Sequence, residues 1–138
     1  DIARPRIIEH YDEIQDVENY PLIIGSGWKP GWSTDYCAIL MAKNYGVKTV
    51  INMSNTDGVY TADPHKDSNA TRIEKMSWHD YRTMVGDIWT PGLSTPFDPI
   101  AAKLSDELGL TVITLDGKDL GNVEKAIEGN DFIGTTIE

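Results

Sequence analysis

Two loop-forming stretches hold most of the residues that could do chemistry. The first is Gly25-Ser26-Gly27-Trp28-Lys29-Pro30-Gly31-Trp32-Ser33-Thr34-Asp35. Its three glycines allow the backbone to come close to a ligand. Ser33 and Thr34 stand at the start of a helical pattern. Their hydroxyls, and the free amides of that helix's first turn, could donate to an anion with the helix dipole in support. Lys29 would add a positive charge. Asp35 would repel a bare anion, but it could hold a metal ion or fix a lysine or a ribose hydroxyl. A glycine-rich turn with an N-cap and two packing tryptophans accounts for the same residues, and local pattern leaves both readings open. The loop fits neither common nucleotide fingerprint. There is no Gly-Lys-Ser/Thr, and Pro30 stands where a dinucleotide motif would want glycine.

The second stretch is Ser54-Asn55-Thr56-Asp57-Gly58-Val59-Tyr60-Thr61-Ala62-Asp63-Pro64. Asp57-Gly58 is a turn pair. Tyr60 could stack on an aromatic base, and Asp63 could accept from a hydroxyl or amino group. A plain polar turn at a strand end is the competing reading. Elsewhere the chemistry is thin. His10, His65 and His79 share no ligand spacing, and no residues are identified as metal ligands. Asp63, Asp67 and Asn69 lack the glycine and closing glutamate of a calcium loop. There is no Gly-x-Ser-x-Gly elbow and no Cys–His pair.

The elements that must position these loops follow from periodicity. Ile7, Tyr11, Ile14 and Val17 recur at helical spacing with acids between them, which predicts an amphipathic helix over residues 5–18. Leu22-Ile23-Ile24 predicts a short buried strand. A helix follows from Ser33, Thr34 or Asp35 to about Tyr45, stopped by Gly46. Residues 47–53 (VKTVINM) predict a strand, and residues 54–70 a polar turn region. Ser77 with Asp80 predicts a capped helix over residues 78–85, and residues 86–97 an irregular loop. Asp98-Pro99 opens a helix whose face is Ile100, Leu104 and Leu108, closed by Gly109. Residues 110–115 (LTVITL) predict a strand. Leu120, Val123 and Ile127 predict a last helix ended by Gly129, before a strand over residues 133–137. Strands alternating with helices indicate an α/β fold, a three-layer αβα sandwich with a mainly parallel sheet. Both chemistry-bearing loops then fall at the carboxyl ends of strands, where such sheets bind ligands.

Composition sets outer bounds. The chain has 138 residues, 40% hydrophobic and 25% charged, which suits one folded domain. Twelve Lys+Arg against 22 Asp+Glu give a net charge of −10. That argues against nucleic acid or an anionic membrane as partner, but not against a small anionic ligand met by local donors. No apolar run approaches the ~18 residues of a membrane span. The single Cys37 and the absence of a leader pattern make a cytoplasmic location the expectation. The first residue is Asp1 rather than Met, as in a piece of a longer protein.

Taken together and in order, the two loops resemble a known family. Residues 27–35 (GWKPGWSTD) are similar to the Gly-Thr-x-x-Pro-Gly-x-Thr-Thr-Asp loop of prokaryotic uridylate (UMP) kinases, members of the amino-acid kinase superfamily. Residues 54–64 (SNTDGVYTADP) are similar to their Thr-Asn-Val-Asp-Gly-Val-Tyr-x-x-Asp-Pro loop, and the step of nineteen residues from Asp35 to Ser54 also matches. Downstream, FDPIAAKL (residues 97–104) resembles the archaeal-like Val-Asp-Pro-Leu-Ala-Ala-Lys element. GTTI (residues 134–137) resembles the terminal Gly-Thr-x-Ile strand. The resemblance implies transfer of the γ-phosphoryl group of ATP, with Mg²⁺, to UMP. It implies that Gly27, Trp28, Lys29, Pro30, Gly31, Trp32, Ser33 and Thr34 hold the UMP phosphate and the transferring phosphoryl group. Ser54, Asn55, Tyr60 and Asp63 would line the ATP site. Asp35 would organise the reacting phosphates, and Lys103 matches a phosphate-contacting lysine of some superfamily members. A hexamer built from dimers is the family's assembly. Glycines, hydroxyls and helix amides suit a reaction that needs positioning and charge neutralisation more than covalent chemistry.

Three departures accompany the resemblance. Trp28 and Trp32 replace less bulky residues, and Ser33 and Ser54 replace threonines while keeping the hydroxyl. The family's opening glycine-rich loop with its catalytic lysine, and its Gly-Gly and arginine for UMP, have no counterpart here. The expectation is a C-terminal, ATP-side portion of an amino-acid-kinase-like fold that is not a competent kinase by itself. Aspartokinase, which has a similar Asp-Gly-Val-Tyr-Thr-Ala-Asp-Pro loop, and a non-catalytic nucleotide-binding protein are the alternatives.

Overall fold

A computed structural model describes residues 2–11, 19–88 and 95–138. Its centre is a four-stranded sheet. Strand β1 (Thr49–Ser54) pairs in parallel with β5 (Thr111–Asp116), β5 pairs antiparallel with β6 (Thr135–Ile137), and β6 pairs in parallel with β4 (Lys75–Met76). Two of the three pairings are parallel, as the alternation of elements predicts. A two-stranded antiparallel ribbon pairs β2 (Val59–Tyr60), within the stretch expected to be only a turn region, with β3 (Arg72–Ile73) just beyond it.

Alternation along β5 builds the three layers. Val112 faces a core shared with α1 (Thr34–Tyr45), α2 (Trp78–Val85) and α3 (Pro99–Leu108), through Ile39, Trp78, Tyr81, Phe97 and Ala101. Ile113 and Leu115 face the other way, against Val123 and Ala126 of α4 (Leu120–Glu128). A third cluster joins Ile8, Tyr11 and Cys37 on the far side of α1.

Helix ends follow local chemistry. Ser33, Ser77, Asp98 and Asp119 each cap a helix by accepting from a first-turn amide, and Gly46, Gly109 and Gly129 close three helices in the left-handed conformation. At Ser77 the hydroxyl accepts from Asp80 N at 3.1 Å, the first half of the box expected from their spacing, and also donates to Asp80 Oδ2 at 2.7 Å.

Three expectations fail. Residues 5–11 are extended rather than helical. Ala3 bridges Leu22 and Ile8 bridges Gly25 in parallel, and Ile8 is buried while its neighbour Ile7 is exposed, a period of two. The remainder of that expected helix, residues 12–18, lies outside the described residues. Leu22-Ile23-Ile24 pairs only through these bridges and is not buried: Leu22 is 46% and Ile24 48% exposed. The helix faces differ in part: Leu104 and Leu108 of α3 pack against the core and Val123 of α4 is buried, as expected, but other members are not. On α3 the buried residues are Pro99, Ala101, Ala102 and Ser105, while Ile100 is 43% exposed. Small side chains let α3 lie close to its neighbours, and that decides the face. On α4, Asn122 is buried and Leu120 and Ile127 are exposed. Asn122 is drawn in because it donates to Ile133 O and accepts from Ile133 N, both at 2.7 Å.

Thr135 fastens the ribbon to the sheet. Its Oγ1 accepts from Val59 N at 2.8 Å and donates to Ile73 O, so one buried hydroxyl serves both ribbon strands. Thr135→Val keeps the shape and strands a buried amide. Chemical denaturation should show a loss of about 1–3 kcal/mol.

Candidate functional site

Two cavities lie where the two chemistry-bearing loops leave the fold. The smaller, about 120 Å³, is lined by Gly31, Trp32, Ser33, Tyr36, Asp98 and Ile100. It sits between the N-termini of α1 and α3, since Ser33 caps the first and Asp98 the second. Gly31 has φ +85°, a conformation that favours glycine. Two helix N-termini facing one space concentrate positive dipole there. The volume suits a phosphate-sized group rather than a whole nucleotide.

Asp35 joins the two helices. Its Oδ2 accepts from Asp98 N at 2.9 Å, while Asp98 Oδ1 accepts from Ala101 N at 2.7 Å. Burial pushes the Asp35 carboxyl above its ordinary value. The Asp98 amide acts against that shift, and the negative charge of Asp98 adds to it. Negative charge is therefore already present at this junction.

The aromatic residues that distinguish this loop form a chain. Trp28 meets His10 edge-on at 5.3 Å between centroids and Trp32 at 5.4 Å, and Trp32 meets Tyr36 at 5.0 Å. Lys29 Nζ lies 4.0 Å from the Trp28 ring centroid and 5.0 Å from that of Trp32. The tryptophans thus hold the ammonium by cation–π attraction beside the cavity mouth. At the loop's start a Cβ on Gly25 would come within 2.7 Å of the Tyr11 hydroxyl oxygen and 2.9 Å of Met41 Sδ, so a larger residue there would push the ends of those two side chains aside.

The larger cavity, about 490 Å³, has the size of a small-molecule site. Ser54, Asn55, Tyr60 and Asp63 all line it, together with Thr56, Gly58, His65, Met84, Val85, Thr95 and Pro96. Tyr60 donates its hydroxyl to Asp57 Oδ1 at 2.7 Å, and this bond is the main reason its phenol titrates above its ordinary value. Asp63 Oδ1 accepts from His65 N at 2.9 Å, which with Lys66 holds the carboxyl below its ordinary value. Gly58 has φ +149°, and a Cβ there would come within 2.7 Å of Thr135 Oγ1. The turn that presents Tyr60 therefore depends on that glycine.

All four residues expected at an ATP site thus share one cavity. Of the expected acceptor set, Gly31, Trp32 and Ser33 line the smaller cavity. Gly27, Trp28, Lys29, Pro30 and Thr34 are outside its lining. Lys103 is exposed on α3 and lines neither cavity; its charge bears on Asp87, whose carboxyl is held low chiefly by Arg82. Among residues that sequence reasoning did not assign to a site, Asp98 and Tyr36 stand out. Asp98 was legible as a helix cap, but nothing local places it beside Ser33. No group of three or more His, Cys, Asp or Glu among the described residues could hold a metal ion, and no helix among them is long and apolar enough to cross a membrane.

Comparison with known proteins places the fold in a family. The model of the amino acid kinase family matches residues 18–115. A uridylate kinase of Methanoculleus marisnigri is 30% identical over 99% of this chain and 59% of its own length. The crystal structure of uridylate kinase from Archaeoglobus fulgidus superposes with a TM-score of 0.84 at 28% identity, covering 99% of this chain and 62% of that one. A UMP kinase structure from Bacillus anthracis, at 20% identity and a TM-score of 0.72, shares the fold. The chain thus spans about three-fifths of the length of the curated relatives it matches.

The Asp35 shift sets a testable pH dependence. A carboxyl raised in the folded state favours folding while protonated and loses that contribution as pH rises through its folded value. Asp35→Asn keeps an acceptor for the Asp98 amide and removes the buried charge. Its thermal midpoint should equal the parent's near pH 4 and exceed it by a few degrees near pH 7. A variant less stable at both pH values would contradict this.

Proposed function

The chain belongs to the amino acid kinase family, and from that premise we propose that its protein transfers the γ-phosphoryl group of ATP to UMP. One observation carries the reading: four residues of one strand-end loop line a nucleotide-sized cavity, and a second loop with two helix N-termini frames a phosphate-sized space next to it. Tyr60 and Asp63 take the base and ribose of ATP, with Ser54 and Asn55 beside them. Gly31, Trp32 and Ser33 receive the acceptor phosphate, and Gly27, Trp28, Pro30 and Thr34 shape the approach. Lys29, held by its two tryptophans, offsets phosphate charge at the mouth. Lys103 serves the phosphates only if the bound donor extends to it.

Magnesium fits this arrangement as a passenger of the donor. Mg²⁺ is commonly bound by one or two carboxylates plus nucleotide phosphates, so no dedicated protein cluster is needed. Asp98, which lines the smaller cavity, and Asp35, which lines neither cavity but accepts from the Asp98 amide, are the carboxylates that would share in holding it, and the ion would neutralise charge on the transferring group. The protein's own work is positioning: helix amides and loop glycines hold two phosphate groups in line, and the acidic junction disfavours a phosphate that arrives without its cation. Residues 1–138 act as one domain in this reading, a donor-side portion of the amino-acid-kinase-like fold.

Tyr60→Ala separates the two sites. Loss of a stacking surface costs about 1 kcal/mol or more, so calorimetry should show Mg–ATP binding weakened at least ~5-fold with UMP binding nearly unchanged. Equal losses for both nucleotides would count against the assignment of the loops. An assay of UDP formation by the full-length protein of which this chain is a part, with aspartate as the competing acceptor, tests the acceptor class.

A further inference from the structure

One run of chain, residues 95–100, contributes wall to both cavities. Thr95 and Pro96 line the larger, and Asp98 and Ile100 line the smaller. Phe97 lies between these pairs and is itself buried. Any rotation of the chain at Phe97 would let the two halves of the wall move independently.

One phenol prevents that rotation. Tyr81, on α2 and fully buried, donates its hydroxyl to Phe97 O at 2.7 Å and accepts from Phe97 N at 2.8 Å. Both backbone polar groups of the pivot residue are thus gripped by a single oxygen. Thr95 Oγ1 adds a second donor to Phe97 O at 3.0 Å. On the donor side of the pivot, Asn52 of β1 donates from Nδ2 to Pro96 O at 2.8 Å. On the acceptor side, Asp35 of α1 accepts from Asp98 N at 2.9 Å. The wall is therefore tied to β1, α1 and α2 at successive residues. Tyr81 and Asn52 line neither cavity.

We infer that Tyr81 is a positioning residue that makes residues 95–100 move as one piece and thereby couples the donor and acceptor nucleotide sites. The inference rests on the proposed kinase reading for the identity of the two ligands. A fit of the wall to the donor alters the position of Asp98 and Ile100 only because Phe97 transmits it. Coupling of this kind is reciprocal: the donor changes acceptor affinity by the factor with which the acceptor changes donor affinity.

The experiment is a UMP titration of the chain by tryptophan fluorescence or calorimetry. It is run without donor and again at saturating Mg²⁺ with the non-hydrolysable ATP analogue bearing a β,γ-imido bridge. The parent should show a change in UMP affinity of about 5-fold or more between the two conditions. Tyr81→Phe should bring that factor to within about twofold of unity while each nucleotide alone binds within about threefold of the parent. Asn52→Ala, which frees only the donor side of the wall, should lower the factor less. It also decides the matter if Tyr81→Phe fails to fold, since an undiminished factor in Asn52→Ala would then overturn the inference. A purely structural role would lower both affinities together and leave their ratio intact, and that outcome overturns it too. So does a parent that binds both nucleotides without coupling, and in that case the kinase reading stands. A parent that binds neither nucleotide overturns the reading of the site itself and the inference with it.

Discussion

The hydrogen bond from Asp98 N to Asp35 Oδ2 is the constraint on which the site's geometry depends. It holds the first turns of α1 and α3 against each other, and those turns supply the amides and dipoles of the smaller cavity. The bond carries a cost. A half-buried carboxylate stands beside a buried one, and burial raises its pKa. Removing the charge at Asp35 while keeping an acceptor for the Asp98 amide would relieve that cost. With a net charge of −10 the surface as a whole does not attract anions.

The donor side rests on a second polar contact, the Thr135 hydroxyl between the two strands of the ribbon. Gly58 passes so near that hydroxyl that no side chain fits, and the turn it makes turns Tyr60 toward the larger cavity. Apolar packing on both faces of β5 supplies the body of the fold. The positions of the two loops are set instead by a few buried hydrogen bonds between elements far apart in the chain. Polar contacts of this kind are directional, which apolar packing is not, so they can fix a loop to within the tolerance that phosphoryl transfer requires.

Legibility from sequence divides along the same line. Features set by near neighbours were readable: the caps at Ser33, Ser77 and Asp98, the glycine stops, the strands at β1 and β5, and the three layers. The order and spacing of the two loops pointed to the family, and Ser54, Asn55, Tyr60 and Asp63 of the second loop line one cavity. What failed depends on distant partners. Residues 5–11 carry a helix-like pattern, yet they pair with the backbone near Leu22 and Gly25, and no local signal reports that partner. On α3 and α4 the largest apolar residues were taken for the buried face. Close approach favoured Ala101, Ala102 and Ser105 on one helix, and a side chain–backbone bond drew Asn122 inward on the other. The meeting of Asp35 with Asp98 spans 63 residues and could not be read locally.

If two distinct loops, joined through the junction of Asp35 and Asp98, serve two different nucleotides, backbone amide NMR of the chain titrated separately with UMP and with Mg²⁺ and the imido analogue of ATP will show it. UMP should shift the amides of Gly31, Trp32, Ser33 and Tyr36, the donor should shift those of Asn55, Tyr60 and Asp63, and the Asp98 amide should respond to both. A single set of amides responding to both ligands, or no response in either loop, would contradict that assignment.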